Sequence, residues 1–319
     1  MRLATLNTYW GERLAARVGD RIVDLAAAHA ARLEAERRLR RDRAVRLAQL
    51  EVPPLINDFL LAGSAAWTRA RGTIEWAATA LAADPDRLTG AVWSLDRAPI
   101  GPVVPRPTKL WCMGANYMQH RIEMAARDNR EAQQEPGGQG FIKSPSSIVG
   151  PTDDIVLPPE SNHVDFEMEL AVVIGTGGRR ISQERAFEHI FGYTVFNDVS
   201  SRDIARMDNN RMDRGKGFDT FGVMGGWLVT ADEVPDPHDL RVTMRQNGEL
   251  RQDASTEDMV SNIPRIIWWL SQAMTLEPGD VISTGSPSGV APIKPGDLLE
   301  GEVEGIGTLR NHVVEERPG

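Results

Sequence analysis

The chain has 319 residues, 41% hydrophobic and 25% charged, ordinary for a globular protein but longer than one core usually spans. Its net charge of −9 excludes a uniformly basic nucleic-acid surface, and no apolar run approaches the roughly 18–20 residues that cross a bilayer. The N-terminus lacks the apolar centre of a secretory signal, and the single cysteine, Cys112, excludes an intrachain disulfide or a cysteine-based zinc site, so a cytoplasmic protein without nucleic-acid or membrane partners is expected.

Residues 2–25 alternate short strand-like pieces with turn residues and predict a small antiparallel meander. Residues 26–50 are rich in Ala, Arg, Glu and Leu at helical spacing and predict a helix. Its interleaved glutamates favour a solvated face over a nucleic-acid patch. A second helical stretch covers residues 53–84. The run APIGPVVPRPTK, residues 98–109, has four prolines and cannot pair as a central strand. It reads as a linker, with an N-terminal domain plus linker over residues 1–105 and a larger domain over 106–319.

From Lys109 onward strand-like runs dominate. Two helices interrupt them: SQERAFEHI, with Ser182 as a cap, and NIPRIIWWLSQAMTL, with Pro264 in its first turn. The expected class is α+β and β-rich, without the regular alternation of a doubly wound sheet. The stretch IIWWLSQAM is apolar on more than one face, which suits a core or an interface.

HVDFEMELAVVIG, His163–Gly175, reads as one strand with two glutamates in it. Residues two apart on a strand share a side, so Glu167 and Glu169 face one way and Phe166, Met168 and Leu170 the other. Such a pair belongs either to an exposed face or to a metal. FGYTVFNDVSSRD ends a second strand in Asp198, followed by a polar turn. Three carboxylates with no cysteine suit Mg²⁺, Mn²⁺ or Ca²⁺ better than zinc, and leave positions open to substrate. Lys216, between two glycines, suits an anionic ligand. STGSPSGV supplies Thr284, Ser286 and Ser288 as donors that can hold a carboxylate. His120 and Glu123 stand three apart, so on a helix the glutamate can orient the imidazole.

Taken in order, MGANYMQH, FIKSPSSIVGP, DFEMELAVVIG, GYTVFNDVSSRD, GKGFDTFG, NGELRQDASTEDM and LEPGDVISTGSPSGV resemble the fumarylacetoacetate hydrolase family. The resemblance covers roughly residues 109–310 and, more faintly, 2–25. It implies a catalytic domain with a mixed-sheet β-roll, preceded by a smaller α/β domain. It implies metal ligands at Glu167, Glu169 and Asp198, usually for Mg²⁺, and a catalytic set of His120, Glu123 and Lys216. It implies substrate contacts at Arg202, Lys216, Tyr117, Thr284, Gly285 and Ser286, and a homodimer. The chain departs from the family in three places. Ala205 stands where a glutamine often reaches the substrate, and Val223 and Gly226 replace two prolines. The polar loop Ala125–Gly140 fits a mobile lid.

The resulting expectation is metal-dependent hydrolysis of a carbon–carbon bond in a 1,3-dicarbonyl acid such as an acylpyruvate. Decarboxylation, isomerisation or hydration of a 2-oxo acid would use the same site. A protein that binds metal and oxo acid without turnover is the alternative of another class.

Overall fold

The computed structural model describes residues 1–127, 131, 140–209 and 211–317. Arg2–Thr8, Gly11–Val18 and Arg21–Asp24 form the expected antiparallel meander. Its first strand does not end the sheet: Arg2 and Leu3 pair with Val229 and Leu228. The N-terminal strands thereby join a 12-stranded mixed sheet that continues through Ile190–Asp198, Met168–Ile174, Val281–Ser283 and Leu110–Met113. Most of its pairs are antiparallel, and Val281–Ser283 runs parallel to Leu110–Met113.

A 5-stranded sheet covers one face of this layer. Met168, Leu170, Val172 and Ile174 share a core with Val242, Leu299 and Leu309 from that second sheet. Ala171 and Val173 point the other way, into a core with Leu3, Leu14, Phe59 and Phe191. The Met168–Ile174 strand is therefore buried on both faces, which explains its near-continuous apolar run. The architecture is α+β and strand-rich, as the sequence predicts.

The helix expected over residues 26–50 is two helices, Leu25–Arg37 and Arg41–Glu51. Arg38 ends the first in the left-handed region, at φ 52°. The 53–84 stretch likewise splits, into Ile56–Leu61 and Ser64–Ala83. The proline-rich run forms no regular strand, but Val103 and Val104 are buried and Val103 N donates to Gly225 O at 2.9 Å. Gln183–His189 is a 3₁₀ helix, and Ser182 makes no side-chain cap bond. Ile263–Ala273 is an α-helix capped by Asn262, which turns Ile263, Ile266, Ile267 and Leu270 into the core. Residues 128–130 and 132–139, most of the segment read as a lid, lie outside the described residues.

Candidate active site

His163–Gly175 is not the single strand its pattern suggests. Val164–Asp165 belongs to a small sheet with Ser200–Ser201 and Pro292–Ile293, and the long ladder begins at Met168. Phe166 and Glu167 bridge the two. Asn197 pins this step: Glu167 N donates to Asn197 Oδ1 at 2.8 Å, and Asp198 N donates to Glu167 O at 2.8 Å. The alternation survives it. Phe166, Met168 and Leu170 are fully buried in the core. Glu167 and Glu169 are 5% and 1% exposed, so they face no open solvent.

Asp198 ends the neighbouring strand, as expected. One carboxylate oxygen from each of Glu167, Glu169 and Asp198 lies within 4.8 Å of the other two. Like charges this close and this buried demand cations. Lys216 Nζ donates to Glu167 Oε2 at 2.7 Å and also to Asp198 Oδ2. Lys143 Nζ donates to Asp198 Oδ1 at 2.7 Å and to Val199 O at 3.0 Å. Arg202 Nη2 donates to Glu167 Oε1, and its Nε donates to Asp165 Oδ2 at 2.9 Å. Glu169 has no ion pair among the described residues. Its Oε2 accepts from Ser283 Oγ at 2.5 Å and Gly285 N at 2.8 Å.

The pKa directions follow. Burial pushes the Glu169 carboxyl well up, and the charges of Asp198 and Glu167 push it further. Burial also raises Glu167, but Arg202, Lys216 and His120 outweigh it and hold its carboxyl well below the ordinary value. Burial lowers Lys216, and Asp198 and Glu167 more than reverse that. In Lys143 burial wins over Asp198, and the pKa falls.

This donor set fits a hard divalent ion. It is all oxygen, it converges, and Glu169 brings a carboxyl group that has no ion pair among the described residues. Both oxygens of Glu167 and of Asp198 already accept hydrogen bonds, so an ion would use their remaining lone pairs beside Lys216.

A cavity of about 630 Å³ opens here, lined by Glu167, Arg202, Lys216, His120 and Ser286 among others. His120 and Glu123 lie on the helix Met118–Arg127. His120 is buried, and its Nδ1 lies 3.6 Å from Glu123 Oε2, close enough for charge support but too long for a hydrogen bond. Glu123 Oε2 accepts from Gly289 N at 3.1 Å.

The remaining expected residues divide. Ser286 is on the cavity wall, and its Oγ accepts from Gln252 Nε2 at 2.8 Å. The Thr284 hydroxyl is donated to Leu170 O at 2.8 Å, which ties the loop to the strand. Gly285 sits at φ +97°, and an added Cβ would meet Asn116 Cβ at 2.7 Å, so only glycine fits where its N–H reaches Glu169. Tyr117 is buried, and its hydroxyl has no hydrogen-bond partner among the described residues. Ala205 puts only a methyl group on the wall.

Three residues at the site escaped the sequence reading. Lys143 lies in FIKSPSSIVGP, where a lysine inside an otherwise apolar strand was the available signal. Asp165, two residues before Glu167, takes Arg202 and lies 3.2 Å from His163 Nε2. Gln252 holds Ser286 and accepts from Met168 N at 3.1 Å, a long-range link with no local signal.

The profile described as "Fumarylacetoacetate (FAA) hydrolase C-terminal" matches residues 109–314. The oxaloacetate tautomerase YisK of Bacillus subtilis is 37% identical over 278 residues, 84% of this chain and 89% of that protein. The solved maleylpyruvate hydrolase of Sphingobium sp. SYK-6 superposes with a TM-score of 0.74 at 30% identity, covering 99% of this chain and 100% of the other. The solved 5-carboxymethyl-2-hydroxymuconate delta-isomerase of Mycobacterium smegmatis does so with a TM-score of 0.70 at 30% identity, covering 99% and 100%. These relatives carry out tautomerisation, hydrolysis and isomerisation, and all are enzymes. With its acidic cluster at the end of a neighbouring strand pair and a match over most of its length, the chain belongs to the fumarylacetoacetate hydrolase family.

Proposed function

We propose that the protein is a divalent-metal-dependent enzyme that interconverts the keto and enol forms of a 2-oxo acid, with oxaloacetate the first substrate to test. The observation that carries this is the meeting of Lys216 with Glu167 and Asp198 beside the cavity that Lys216, Glu167 and His120 line. The similarity to a tautomerase along both parts of the chain supports it.

Glu167, Glu169 and Asp198 would hold the ion, Mg²⁺ in the first instance, with Mn²⁺ or Ca²⁺ as alternatives. When bound, the ion supplies Lewis-acid polarisation of the oxo acid's carbonyl and carboxylate oxygens. Lys216 and Arg202 place fixed positive charge beside the same cavity and offset the negative oxygen of the enolate. His120 takes the proton from the carbon next to the oxo group and returns one to oxygen, with Glu123 stabilising the charged imidazole. The ledger balances without water: one proton leaves carbon and one arrives on oxygen.

A second reading keeps the expected hydrolysis. The same His120–Glu123 pair is suited to take a proton from water that attacks the distal carbonyl of an acylpyruvate, and the likeness to a maleylpyruvate hydrolase favours it. Enol loss from oxaloacetate, followed by ultraviolet absorbance with added Mg²⁺, tests the first reading. Turnover by the wild type and its loss in Glu169→Gln are expected. No turnover by the wild type, or undiminished turnover in the variant, rules it out. An acylpyruvate incubated in ¹⁸O-labelled water decides the second, because hydrolysis alone puts label in the released acid.

A further inference from the structure

We infer that Arg206 and Arg211 form a second anion subsite at the mouth of the cavity, and that it selects 2-oxo acids bearing another carboxylate at the far end of their chain. The inference rests on the oxo-acid reading above and adds the residues that discriminate among such acids.

Arg206 follows Arg202 by four residues in the helix Arg202–Met207, so the two share a face. Arg202 is tied to Asp165 and Glu167 within the wall. Arg206 lies further out, exposed, on the same cavity. Arg211 reaches that cavity from the position that precedes the helix Met212–Gly215, and it too is exposed. Neither guanidinium makes an ion pair or a side-chain hydrogen bond among the described residues.

The acids nearby do not cancel this charge. Asp208 feels the charge of Arg211, but Arg214 holds both of its oxygens, at 2.7 and 3.0 Å, so it leaves the Arg211 donors free of a direct pair. Among the described residues Asp213 is the remaining acid at the mouth, one against two. Deeper in, Lys216 and Arg202 are already engaged by Glu167, Asp198 and Asp165. Arg121 donates its Nε to Ala115 O. A carboxylate far from the oxo group therefore meets its available guanidinium donors at Arg206 and Arg211. Ala205, on the same helix face, offers no polar group in competition. Guanidinium suits this task because it stays charged and presents paired donors to a carboxylate.

The test is calorimetric binding in Mg²⁺ to the full chain. The ligands are oxalate, which mimics the head group alone, the diacids oxaloacetate, 2-oxoglutarate and 2-oxoadipate, and the monoacids 2-oxobutyrate, 2-oxovalerate and 2-oxohexanoate. The wild type is expected to bind at least one diacid about tenfold more tightly than the monoacid of equal length, a preference that shrinks as salt is added. In Arg206→Gln/Arg211→Gln the ratio falls towards one, and Arg206→Lys/Arg211→Lys restores part of it. Oxalate bound by the wild type without any diacid preference, or a preference unchanged in the glutamine variant, overturns the subsite and leaves the oxo-acid reading standing. Failure of the wild type to bind oxalate overturns both.

Discussion

Lys216 Nζ lies 2.7 Å from Glu167 Oε2 and also donates to Asp198, so one buried ammonium joins a carboxylate from the break before one strand to a carboxylate at the end of its neighbour. The glycines around Lys216 suggest a flexible turn, yet the residue is the C-cap of a short helix and only 4% exposed. Its role is thus electrostatic in two senses. It offsets the repulsion within the acidic cluster, and in the proposed reaction it would supply the charge that an enolate oxygen needs.

Replacing Lys216 with Met should show both. Removing one member of a buried ion network costs roughly 3–5 kcal/mol, so the melting temperature should fall clearly in a chelated sample. Turnover should fall by about a hundredfold or more. Added Mg²⁺ should recover part of the melting temperature without recovering turnover, because the ion relieves the repulsion but leaves the lysine's donors missing. Wild-type stability in the chelated variant would contradict the bridging role.

The proposed function assigns proton transfer to His120 and Glu123, which substitution can separate from binding. His120→Asn should lower kcat by about 10²–10⁴-fold, and Glu123→Gln by less, since Glu123 acts through the imidazole. Steady-state kinetics with oxaloacetate check this. Equal losses in kcat/KM carried entirely by KM would assign the pair to substrate binding instead.

What could be read from the residues follows physical range. Glu167, Glu169 and Asp198 were legible because strand periodicity is local, and it holds even across the break at Phe166–Glu167. Lys216 was marked as an anion-binding residue by its flanking glycines, but Arg202 needed the family resemblance, because its partners lie across long sequence separations. Lys143 and Gln252 stayed hidden for the same reason, with partners 55 and 34 residues away. The break at Arg38 had no glycine or proline to announce it. The prolines of residues 98–109 suggested a linker, and Val103 and Val104 between them are drawn into the core by apolar burial. The continuous sheet through Arg2–Val229 could not be foreseen from either part alone.

Gly285 offers a backbone test of the Glu169 environment. At φ +97° with Asn116 Cβ 2.7 Å from a built Cβ, Gly285→Ala must move the loop that carries the N–H to Glu169. Asn116 resists, because its Nδ2 donates to Ser261 O at 2.9 Å and Thr284 O at 2.8 Å. Mg²⁺ affinity by calorimetry should drop by about tenfold, as expected for a lost outer contact to a ligand. Unchanged affinity would mean that Glu169 is positioned by Ser283 alone.

The N-terminal helices carry a separate acid-sensitive contact. His29 is buried between Thr73 and Glu51, with Nδ1 2.8 Å from Thr73 Oγ1 and Nε2 2.8 Å from Glu51 Oε2. These residues sit on the helices Leu25–Arg37, Ser64–Ala83 and Arg41–Glu51, so one imidazole ties three helices together. Burial lowers the His29 pKa from its ordinary 6.5, more than Glu51 raises it. Burial raises Glu51, but the His29 hydrogen bond and the charges of Arg37 and Arg69 bring it below its ordinary 4.5. Both groups bind protons more readily when unfolded, so acid favours the unfolded state. The His29 contribution is complete above pH 6.5 and is lost as pH falls through its lower folded value; the Glu51 contribution follows below pH 4.5. Melting temperature should therefore decline from about pH 7 to about pH 5. In His29→Gln, which keeps hydrogen-bonding capacity but cannot titrate, that decline should be shallower. Parallel pH profiles for the two proteins would place the acid sensitivity elsewhere in the fold.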